Sequence, residues 1–290
     1  MSAPGFRQFD TLAVVGLGLI GGSFAMDVRR LGLAKRILGY DNNSEYNAEI
    51  SSRNLVDYLA EAPDAKLAEA QLVMLAVPVK AFAEVLSNIR PHLSASVILT
   101  DTGSVKSPLI QMMLAPEYAR ISFVGGHPIA GSENFGPRAA RENLFSGKRC
   151  ILTPEMSTDR NVVSTVCEMW ESMGSMVSEM DADDHDQMFA SVSHLPHLLA
   201  YASIQAIADS STPEAMSHSG AGLKDFSRIA SSSPEMWADI FLENQENLLS
   251  RMNTFKDVVV KLEDAIKSND KEKLIELLTQ AKTERDQWMT

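Results

Sequence analysis

Short apolar runs alternate with amphipathic stretches through the first 180 residues of the chain. The runs are TLAVVG at 11–16, RILGYD at 36–41, QLVMLAVP at 71–78, SVILTD at 96–101 and KRCILTP at 148–154. Between them lie helix-like stretches at 21–31, 79–90 and 158–173. Buried strands separated by helices are typical of βαβ units. This pattern predicts an α/β domain with a mostly parallel sheet over residues 1–181.

Helical periodicity replaces the strand-like runs after about residue 181. The segment DADDHDQMF, residues 181–189, offers aspartates suited to capping a helix, which Pro196 interrupts before it ends near Ala208. Two apolar stripes at helical spacing follow: Phe255, Val258, Val259, Leu262 and Ile266, then Leu274, Leu277, Leu278, Ala281 and Trp288. We therefore predict an all-helical domain over residues 182–290.

These two stripes need a surface to pack against. They bury either against each other or against a second subunit, and periodicity does not distinguish an internal core from an interface. Because so short a domain holds so many apolar helices, we favour a homodimer formed through the helical domain.

Charge and composition narrow the class of protein. The net charge is −12, from 26 basic and 38 acidic residues, which argues against nonspecific binding to nucleic acid. Cys150 and Cys167 are too few for a disulfide framework, and their spacing does not indicate a metal pair. The stretch MSAPGFRQFD at residues 1–10 shows no basic patch followed by an apolar stretch, so we expect no secretory signal, and no apolar run reaches the roughly 18 residues that span a bilayer. We expect a cytoplasmic protein without a membrane partner.

A nucleotide-binding signature follows the first strand-like run. In LAVVGLGLIGGS, three glycines, Gly16, Gly18 and Gly21, have the G-x-G-x-x-G spacing between a strand and a helix. The first permits a tight turn, the second lets a pyrophosphate approach the backbone, and the third lets helix and strand pack closely. Leu19 and Ile20 open the helix, whose amino terminus favours phosphates. We therefore predict a Rossmann-type dinucleotide site.

Asp41 ends the second strand-like run, twenty residues after Gly21. Its carboxylate is placed to accept a hydrogen bond from a ribose 2′-hydroxyl and would repel a 2′-phosphate, so NAD is favoured over NADP. The alternative is a solvated loop carboxylate. Val77 and Pro78 end the run at 71–78 and are expected either to line the cofactor or simply to terminate the strand.

Three further segments carry groups that a packed core does not explain. LTDTGSVKSP, residues 99–108, holds Ser104 and Lys106. GGHPIAGSENFG, residues 125–136, holds His127 and Glu133, and its four glycines and proline predict a loop rather than a strand interior. The helical half supplies SHLPHLLAY with His194 and His197, and GLKDFSRIA with Lys224 and Arg228. The first two segments fall at the carboxyl ends of predicted parallel strands, where ligands of such sheets bind.

With these motifs the sequence resembles the prephenate/arogenate dehydrogenase family of tyrosine biosynthesis. GLGLIGGS, DTGSVK, GGHPIAGSE, SHLPH, GLKDFSRIA and SPEMWADIFLEN occur in the order of that family. The resemblance implies a Rossmann-type domain followed by a helical domain that dimerises. It also implies NAD-linked oxidative decarboxylation of prephenate to 4-hydroxyphenylpyruvate, or of arogenate to tyrosine, and leaves both substrates open.

The resemblance also assigns catalytic roles. His127 matches the catalytic histidine, which accepts the proton of the substrate hydroxyl as hydride leaves the same ring carbon. An imidazole suits this task because its unperturbed pKa is about 6.5. Ser104 matches a serine that contacts both this histidine and the substrate hydroxyl.

Substrate-binding roles follow from the same resemblance. Arg228 matches an arginine that binds a substrate carboxylate through its planar fork. His197 matches a histidine that contacts the substrate, and His194 lies one turn earlier on the same helix face. Glu133 matches a glutamate near the entrance of the site, and Trp237 is expected to close over the site.

Each assignment has a structural alternative. Arg228 has Asp225 or Asp239 as potential salt-bridge partners, His194 and Trp237 suit helix packing, and Glu133 suits a surface loop. Lys106 either positions the nicotinamide side of the cofactor or braces its loop. A zinc half-site at the two histidines lacks a further ligand set, so we predict no metal.

Two other functions fit the general plan. One is a dehydrogenase of the β-hydroxyacid or imine-reducing type, which relies on a lysine or another donor in the helical half. The other is a non-catalytic NAD-sensing dimer. The histidines expected at the cleft disfavour the first, and the complete set of Ser104, His127, His197 and Arg228 disfavours the second.

Overall fold

The computed structural model describes residues 6–132, 134–212 and 217–289. Its strands are β1 Phe9–Val15, β2 Ala34–Tyr40, β3 Tyr58–Ala60, β4 Leu72–Leu75, β5 Ile98–Asp101, β6 Ser122–Pro128, β7 Arg149–Thr153 and β8 Met176–Glu179. They form one sheet in the order β3-β2-β1-β4-β5-β6-β7-β8, in which β6 and β7 pair antiparallel and all other neighbours pair parallel. The predicted, mostly parallel sheet is confirmed.

Helices connect these strands. They are α1 Leu19–Leu31, α2 Asn47–Ser52, α3 Phe82–Ile89, α4 Ser107–Met113 and α5 Arg160–Ser172. The helices predicted over 21–31, 79–90 and 158–173 are therefore confirmed within a few residues. Asp159 explains one boundary, because its side chain accepts a hydrogen bond from the backbone N–H of Asn161 at the start of α5.

Both faces of the sheet are covered. Along β1, Leu12 and Val14 belong to one buried cluster, whereas Ala13 and Val15 belong to another. Successive side chains of a strand point to opposite faces, so the apolar run at 11–16 serves two cores at once. This arrangement is that of a doubly wound Rossmann-type domain, and it brings the carboxyl ends of β1, β4, β5 and β6 to one edge.

The chain is helical after β8 throughout its described part. The helices are α6 Ala182–Phe189, α7 Leu195–Ser210, α8 Ala221–Ser227, α9 Pro234–Glu243, α10 Gln245–Lys267 and α11 Lys271–Met289. Asp181 caps α6 by accepting hydrogen bonds from the backbone N–H groups of Asp183 and Asp184, as the sequence predicts. The interruption expected at Pro196 is instead a π-helical turn, Ala190–His194, directly ahead of α7.

The chain divides into two compact units, Met1–Asn244 and Gln245–Thr290. The first unit includes the sheet and also α6 to α9. Val105 of the loop after β5 packs in a small buried cluster with Trp237 and Ile240 of α9. The domain boundary predicted at residue 181 falls inside this unit and stays a prediction.

The second unit consists of α10 and α11. Several large apolar side chains of this unit are exposed: Phe255, Val258, Val259, Val260, Ile266, Ile275, Leu278 and Trp288. Most of them belong to the two stripes that the sequence singles out. None of the described helices is long and apolar enough to cross a membrane.

Candidate active site

Three glycines shape the turn between β1 and α1. Gly16 has a φ of +88°, and a Cβ atom there would lie 2.4 Å from the carbonyl oxygen of Ala76. A Cβ atom on Gly21 would lie 1.9 Å from the carbonyl oxygen of Gly16, so neither position accepts a side chain. A Cβ atom on Gly18, by contrast, would meet no atom of the described chain within 4 Å. Gly18 therefore borders open space where a pyrophosphate is expected to approach.

The first turn of α1 is suited to an anion. Gly18 is its N-cap residue, the turn holds no acidic residue, and no side chain of the described residues caps it. Leu19 and Ile20 begin the helix, where backbone N–H groups lack partners within the helix. The helix dipole adds to their preference for negative charge. These residues fit the pyrophosphate of a dinucleotide.

Asp41 is buried beside the glycine turn, with 7% of its surface exposed. Its Oδ2 accepts a hydrogen bond from the backbone N–H of Leu17 (2.7 Å), and its Oδ1 accepts one from that of Asn43 (3.0 Å). It is therefore not a solvated loop carboxylate. Val77 follows β4 and lies beside Gly16, since a Cβ atom on that glycine would lie 3.0 Å from Val77 Cγ1. Pro78 is exposed at the same edge of the sheet.

His127 lies in β6, so the loop predicted for its flanking glycines is wrong at this point. Gly125 and Gly126 are interior strand residues. A Cβ atom on Gly125 would lie 2.4 Å from Thr153 Oγ1, and one on Gly126 would lie 2.7 Å from the carbonyl oxygen of Asp101. These glycines therefore permit close packing of neighbouring strands rather than a tight turn. The result is a rigid mount for His127 at the carboxyl end of β6.

The ring of His127 contacts α6 rather than the loop after β5. Its Nδ1 lies 2.8 Å from Nε2 of His185, and its ring centroid lies 4.7 Å from that of Phe189. Ser104 is half-buried in the turn between β5 and α4 and makes no hydrogen bond to His127 in this structure, in which both residues are described. His185 of α6 thus occupies Nδ1 of His127, and the contact assigned to Ser104 by resemblance stays a prediction.

Asp186 is the next member of this chain of contacts. Its Oδ1 lies 2.8 Å from Nδ1 of His185 and also accepts the backbone N–H of Lys106 (2.8 Å), while its Oδ2 accepts that of Ser107 (2.8 Å). Sequence reasoning missed both His185 and Asp186. It interpreted DADDHDQMF only as a capping segment, although an adjacent His and Asp inside the helix were a visible signal.

Lys106 supports the site through contacts with β5 and β6. Its side chain is fully buried, and its Nζ forms an ion pair with Asp101 and donates to the carbonyl oxygen of Gly126 (2.8 Å). Of the two roles considered for Lys106, these contacts favour the brace over a direct contact with the cofactor.

Burial governs the protonation of the two histidines that meet here. It lowers the pKa of His127 well below its usual value, and the nearby His185 and the ammonium of Lys106 act in the same direction. Burial also lowers the pKa of His185, against the opposing effect of Asp186. Both rings are therefore neutral near pH 7, which is the form a general base requires.

His194 is buried at the end of the π-helical turn, with 1% of its surface exposed. Its Nδ1 lies 3.1 Å from Nδ2 of Asn244, which also donates to the carbonyl oxygen of Asp186 (2.8 Å). Because an amide nitrogen only donates, His194 Nδ1 accepts and its proton resides on Nε2. That Nε2 has no partner among the described residues. Burial lowers the pKa of His194 to about 4.

His197 stacks on Trp237, with ring centroids 3.7 Å apart and planes inclined by 21°. Its Nδ1 donates to the carbonyl oxygen of Ser193 (2.8 Å), which leaves Nε2 as the atom available to a ligand. Burial lowers the pKa of His197, the Ser193 carbonyl opposes this, and the positive charge of Arg228 adds to it. Trp237 therefore both packs in a buried cluster and orients His197.

Arg228 begins the 3₁₀ turn that follows α8. Its charge acts on His197, so the structure brings these two predicted residues to the same region. Asp239 is one of the two salt-bridge partners considered for Arg228, and its Oδ1 lies 3.4 Å from Nζ of Lys80. Glu133 lies outside the described residues. Within the described chain, no group of three His, Cys, Asp or Glu side chains is arranged to hold a metal ion.

Two family models match this chain. The nucleotide-binding domain of prephenate dehydrogenase matches residues 24–179, and the dimerization domain of prephenate dehydrogenase matches residues 181–280. Together they account for more than half of the sequence.

Individual relatives agree with the family models. The cyclohexadienyl dehydrogenase of Zymomonas mobilis is 36% identical over 92% of each chain. The prephenate dehydrogenase of A. aeolicus, solved in complex with hydroxyphenyl propionate and NAD+, is 38% identical with a TM-score of 0.88 over 97% of this chain and 99% of that one. The Synechocystis arogenate dehydrogenase is 31% identical with a TM-score of 0.78 over 96% of this chain and 99% of that one. The chain therefore belongs to the prephenate dehydrogenase family, as its motifs predict.

Proposed function

We propose that this protein catalyses the NAD-dependent oxidative decarboxylation of prephenate or arogenate in tyrosine biosynthesis, with His127 as the proton acceptor. The observation that carries this proposal is a buried, neutral histidine at the carboxyl end of β6, on the edge of the sheet that also carries the glycine turn. Ligands of open α/β sheets bind at this edge.

The cofactor is held by the residues around the β1–α1 turn. Gly16 and Gly21 shape the turn, Gly18 leaves room for the pyrophosphate, and the first N–H groups of α1 bind it. Asp41 accepts a hydrogen bond from a ribose hydroxyl. Its carboxylate oxygens keep free lone pairs for this bond besides those that accept the N–H groups of Leu17 and Asn43. When bound, NAD accepts the hydride.

His127 accepts the hydroxyl proton at Nε2. This atom has no hydrogen bond to the described residues, whereas Nδ1 is engaged by His185. Loss of the hydride and of the hydroxyl proton converts the ring C–OH group to a carbonyl. When the ring carboxylate then leaves as carbon dioxide, the electrons of the broken C–C bond move toward the carbonyl oxygen, which becomes the oxygen of a phenol. The protonated His127 beside that oxygen stabilises the developing negative charge and returns the proton.

The substrate carboxylates need positive or donating groups in a chain of net charge −12. Arg228 is assigned to one carboxylate through its planar fork. His197, fixed by Ser193 and Trp237, contacts the substrate through Nε2. His194 supports it from the same helix, and Ser104 contacts the substrate hydroxyl. Glu133 is assigned to the entrance by resemblance alone.

The protein acts as a homodimer. The dimerization-domain model covers residues 181–280, and exposed apolar side chains on α10 and α11 supply a surface to be buried. Light scattering after size-exclusion chromatography should give twice the mass of the 31.7 kDa chain. A monomer at micromolar concentration would contradict this assignment.

The protein is assigned to the cytoplasm. Cys150 and Cys167 are free thiols, which is in keeping with a reducing compartment.

The decisive experiment measures reduced cofactor by its absorbance. The purified protein is mixed separately with prephenate and arogenate, each with NAD and with NADP, and kcat/KM is determined for all four pairs. Reduction of NAD with at least one of the two substrates is expected, with a preference over NADP set by Asp41. No reaction with either substrate would refute the proposed function.

A further inference from the structure

The tautomer of His127 is set by residues that lie behind it. His127, His185 and Asp186 form an unbroken line in which Nδ1 of the first meets Nε2 of the second, and Nδ1 of the second meets Oδ1 of the third, each at 2.8 Å. All three residues are buried, at 8%, 0% and 2% exposure. Water therefore does not compete for these contacts.

Proton counting fixes the direction of each hydrogen bond. Burial alone would raise the pKa of Asp186, but hydrogen bonds from His185 and from the backbone of Ser107 and Lys106 lower it below its usual value. An ionised carboxylate only accepts, so His185 must donate from Nδ1. Its Nε2 then carries a lone pair, and His127 must donate from Nδ1. The remaining nitrogen of His127, Nε2, is left unprotonated.

We propose that His185 and Asp186 are positioning residues that hold His127 in the tautomer with a free Nε2 lone pair. The inference rests on the proposed function of His127 as base. In the other tautomer Nε2 carries a hydrogen and cannot accept the hydroxyl proton. The contact also supports the product of the proton transfer, because an imidazolium at position 127 still donates from Nδ1 to the neutral His185.

Asp186 is held from two elements, and the ring of His185 is held by a third contact. The amino end of α4 supplies two backbone N–H groups, from Lys106 and Ser107. Asn244, at the end of α9, donates to the backbone carbonyl of Asp186 (2.8 Å). The Phe189 ring stacks on His185 with centroids 4.4 Å apart. This support restricts rotation of the His185 ring, so its Nε2 stays aimed at His127.

The alternative is that His185 only fills the core between α6 and β6. Two substitutions separate these roles. His185→Leu keeps an apolar side chain of similar bulk but offers no acceptor to His127. His185→Gln places an amide oxygen that can still accept from Nδ1 of His127. A packing role predicts that Leu is tolerated at least as well as Gln, whereas a positioning role predicts the reverse.

The test has a readout that needs no turnover. Protein with ¹⁵N-labelled histidine is examined by NMR at pH 7.5 without substrate, and the His127 signals are assigned with His127→Asn. The wild type should show His127 protonated at Nδ1 only. His185→Leu should move the population toward the Nε2-protonated form, and His185→Gln should retain the wild-type tautomer.

Kinetics provide the second arm. His185→Leu should lower kcat by about 10- to 100-fold with the KM for NAD unchanged, and His185→Gln should recover at least part of that loss. A wild-type His127 protonated at Nε2, or a His185→Leu variant with unchanged tautomer and unchanged kcat, overturns the proposal. If His185→Leu fails to fold, the wild-type spectrum and His185→Gln decide. Inactivity of the wild type toward both substrates with the expected tautomer would refute the proposed function and leave this positioning role intact.

Discussion

Lys106 and Asp101 form an ion pair in which both side chains are completely buried. The pair joins the end of β5 to the carboxyl-terminal part of β6. Lys106 also donates to the carbonyl oxygen of Gly126 (2.8 Å), and Asp101 accepts hydrogen bonds from the N–H groups of Gly126 (3.0 Å) and Gly103 (2.7 Å). The turn that carries Ser104 and the strand that carries His127 are thereby fixed to each other.

Removing one partner of this pair should destabilise the protein strongly. Lys106→Met leaves the Asp101 carboxylate buried without its cation, which typically costs about 3–5 kcal/mol. The free energy of unfolding, measured with urea, should fall by that amount. The double variant Lys106→Met, Asp101→Asn should recover part of the loss because no charge is then buried. A decrease below about 1 kcal/mol for the single variant would contradict the bracing role.

Replacement of the proposed base should remove turnover without removing the cofactor. His127→Asn should lower kcat by roughly 100-fold or more, because general-base catalysis contributes about that much. NAD binding, measured by calorimetry, should stay nearly unchanged, because the glycine turn that binds the pyrophosphate follows β1, whereas His127 lies in β6. His92→Asn is a matched control, because His92 lies in the turn ahead of β5, at the opposite edge of the sheet. Loss of NAD affinity in His127→Asn would indicate a structural role instead.

Two glycines of the nucleotide turn should respond differently to alanine. In Gly18→Ala the new methyl group lies in open space, so the free energy of unfolding should stay within about 0.5 kcal/mol of wild type. The same methyl group lies where the pyrophosphate is expected to approach, so the Kd for NAD should rise. Gly21→Ala forces a Cβ against Gly16 and should cost about 1–3 kcal/mol of stability. Urea unfolding and NAD titration separate the two effects. Equal behaviour of both variants would contradict the assigned roles.

The glycine turn was predictable because its signals are local. A strand, three spaced glycines and a helix stand together in LAVVGLGLIGGS, and each glycine's role follows from contacts within that unit and with β4. The neighbours of His127 were not predictable in the same way. His185 follows it by 58 residues, and Asn244 follows Asp186 by another 58. No period or spacing encodes such contacts, which arise only when α6 and α9 pack on the sheet.

The same limit explains the error at β6. GGHPIAGSENFG has the composition of a loop, and its first two glycines nevertheless lie in a strand. The cause is the space left by the neighbours: Thr153 on β7 and the backbone of Asp101 on β5 leave no room for a Cβ. Glycine was chosen there by tertiary packing, which composition does not reveal.

Arg228 should govern substrate affinity more than turnover. Arg228→Ala removes the fork assigned to a substrate carboxylate and should raise the KM for the substrate by about 10- to 100-fold, in line with charge-assisted hydrogen bonds of roughly 1.5–3 kcal/mol. Arg228→Lys should recover only part of this, because a single ammonium does not reproduce the fork. Arg160→Ala serves as control. Arg160, at the start of α5, is exposed and pairs with Glu179 at the end of β8, which lies at the sheet edge opposite the carboxyl end of β6. An unchanged KM in Arg228→Ala would refute the assignment.

His194 should make folding stability depend on pH below neutrality. The pKa of its ring is about 4 in the folded protein and about 6.5 when unfolded. Between these values the unfolded chain binds a proton that the folded protein excludes, so stability is fully present above about pH 6.5 and is lost as the pH falls toward 4. From pH 7 to pH 5 this residue alone should cost about 2 kcal/mol.

The measurement compares the wild type with His194→Gln, whose amide keeps a hydrogen-bonding group near Asn244 but does not titrate. Urea unfolding at pH 7 and pH 5 gives the stability difference between the two proteins at each pH. Contributions from His127, His185 and His197 are common to both chains and cancel to first order. The advantage of the wild type over the variant should therefore shrink by about 2 kcal/mol on acidification. If the difference is the same at both pH values, His194 is protonated at pH 5 in the folded protein, and its Nδ1 cannot then be accepting a hydrogen bond from Asn244.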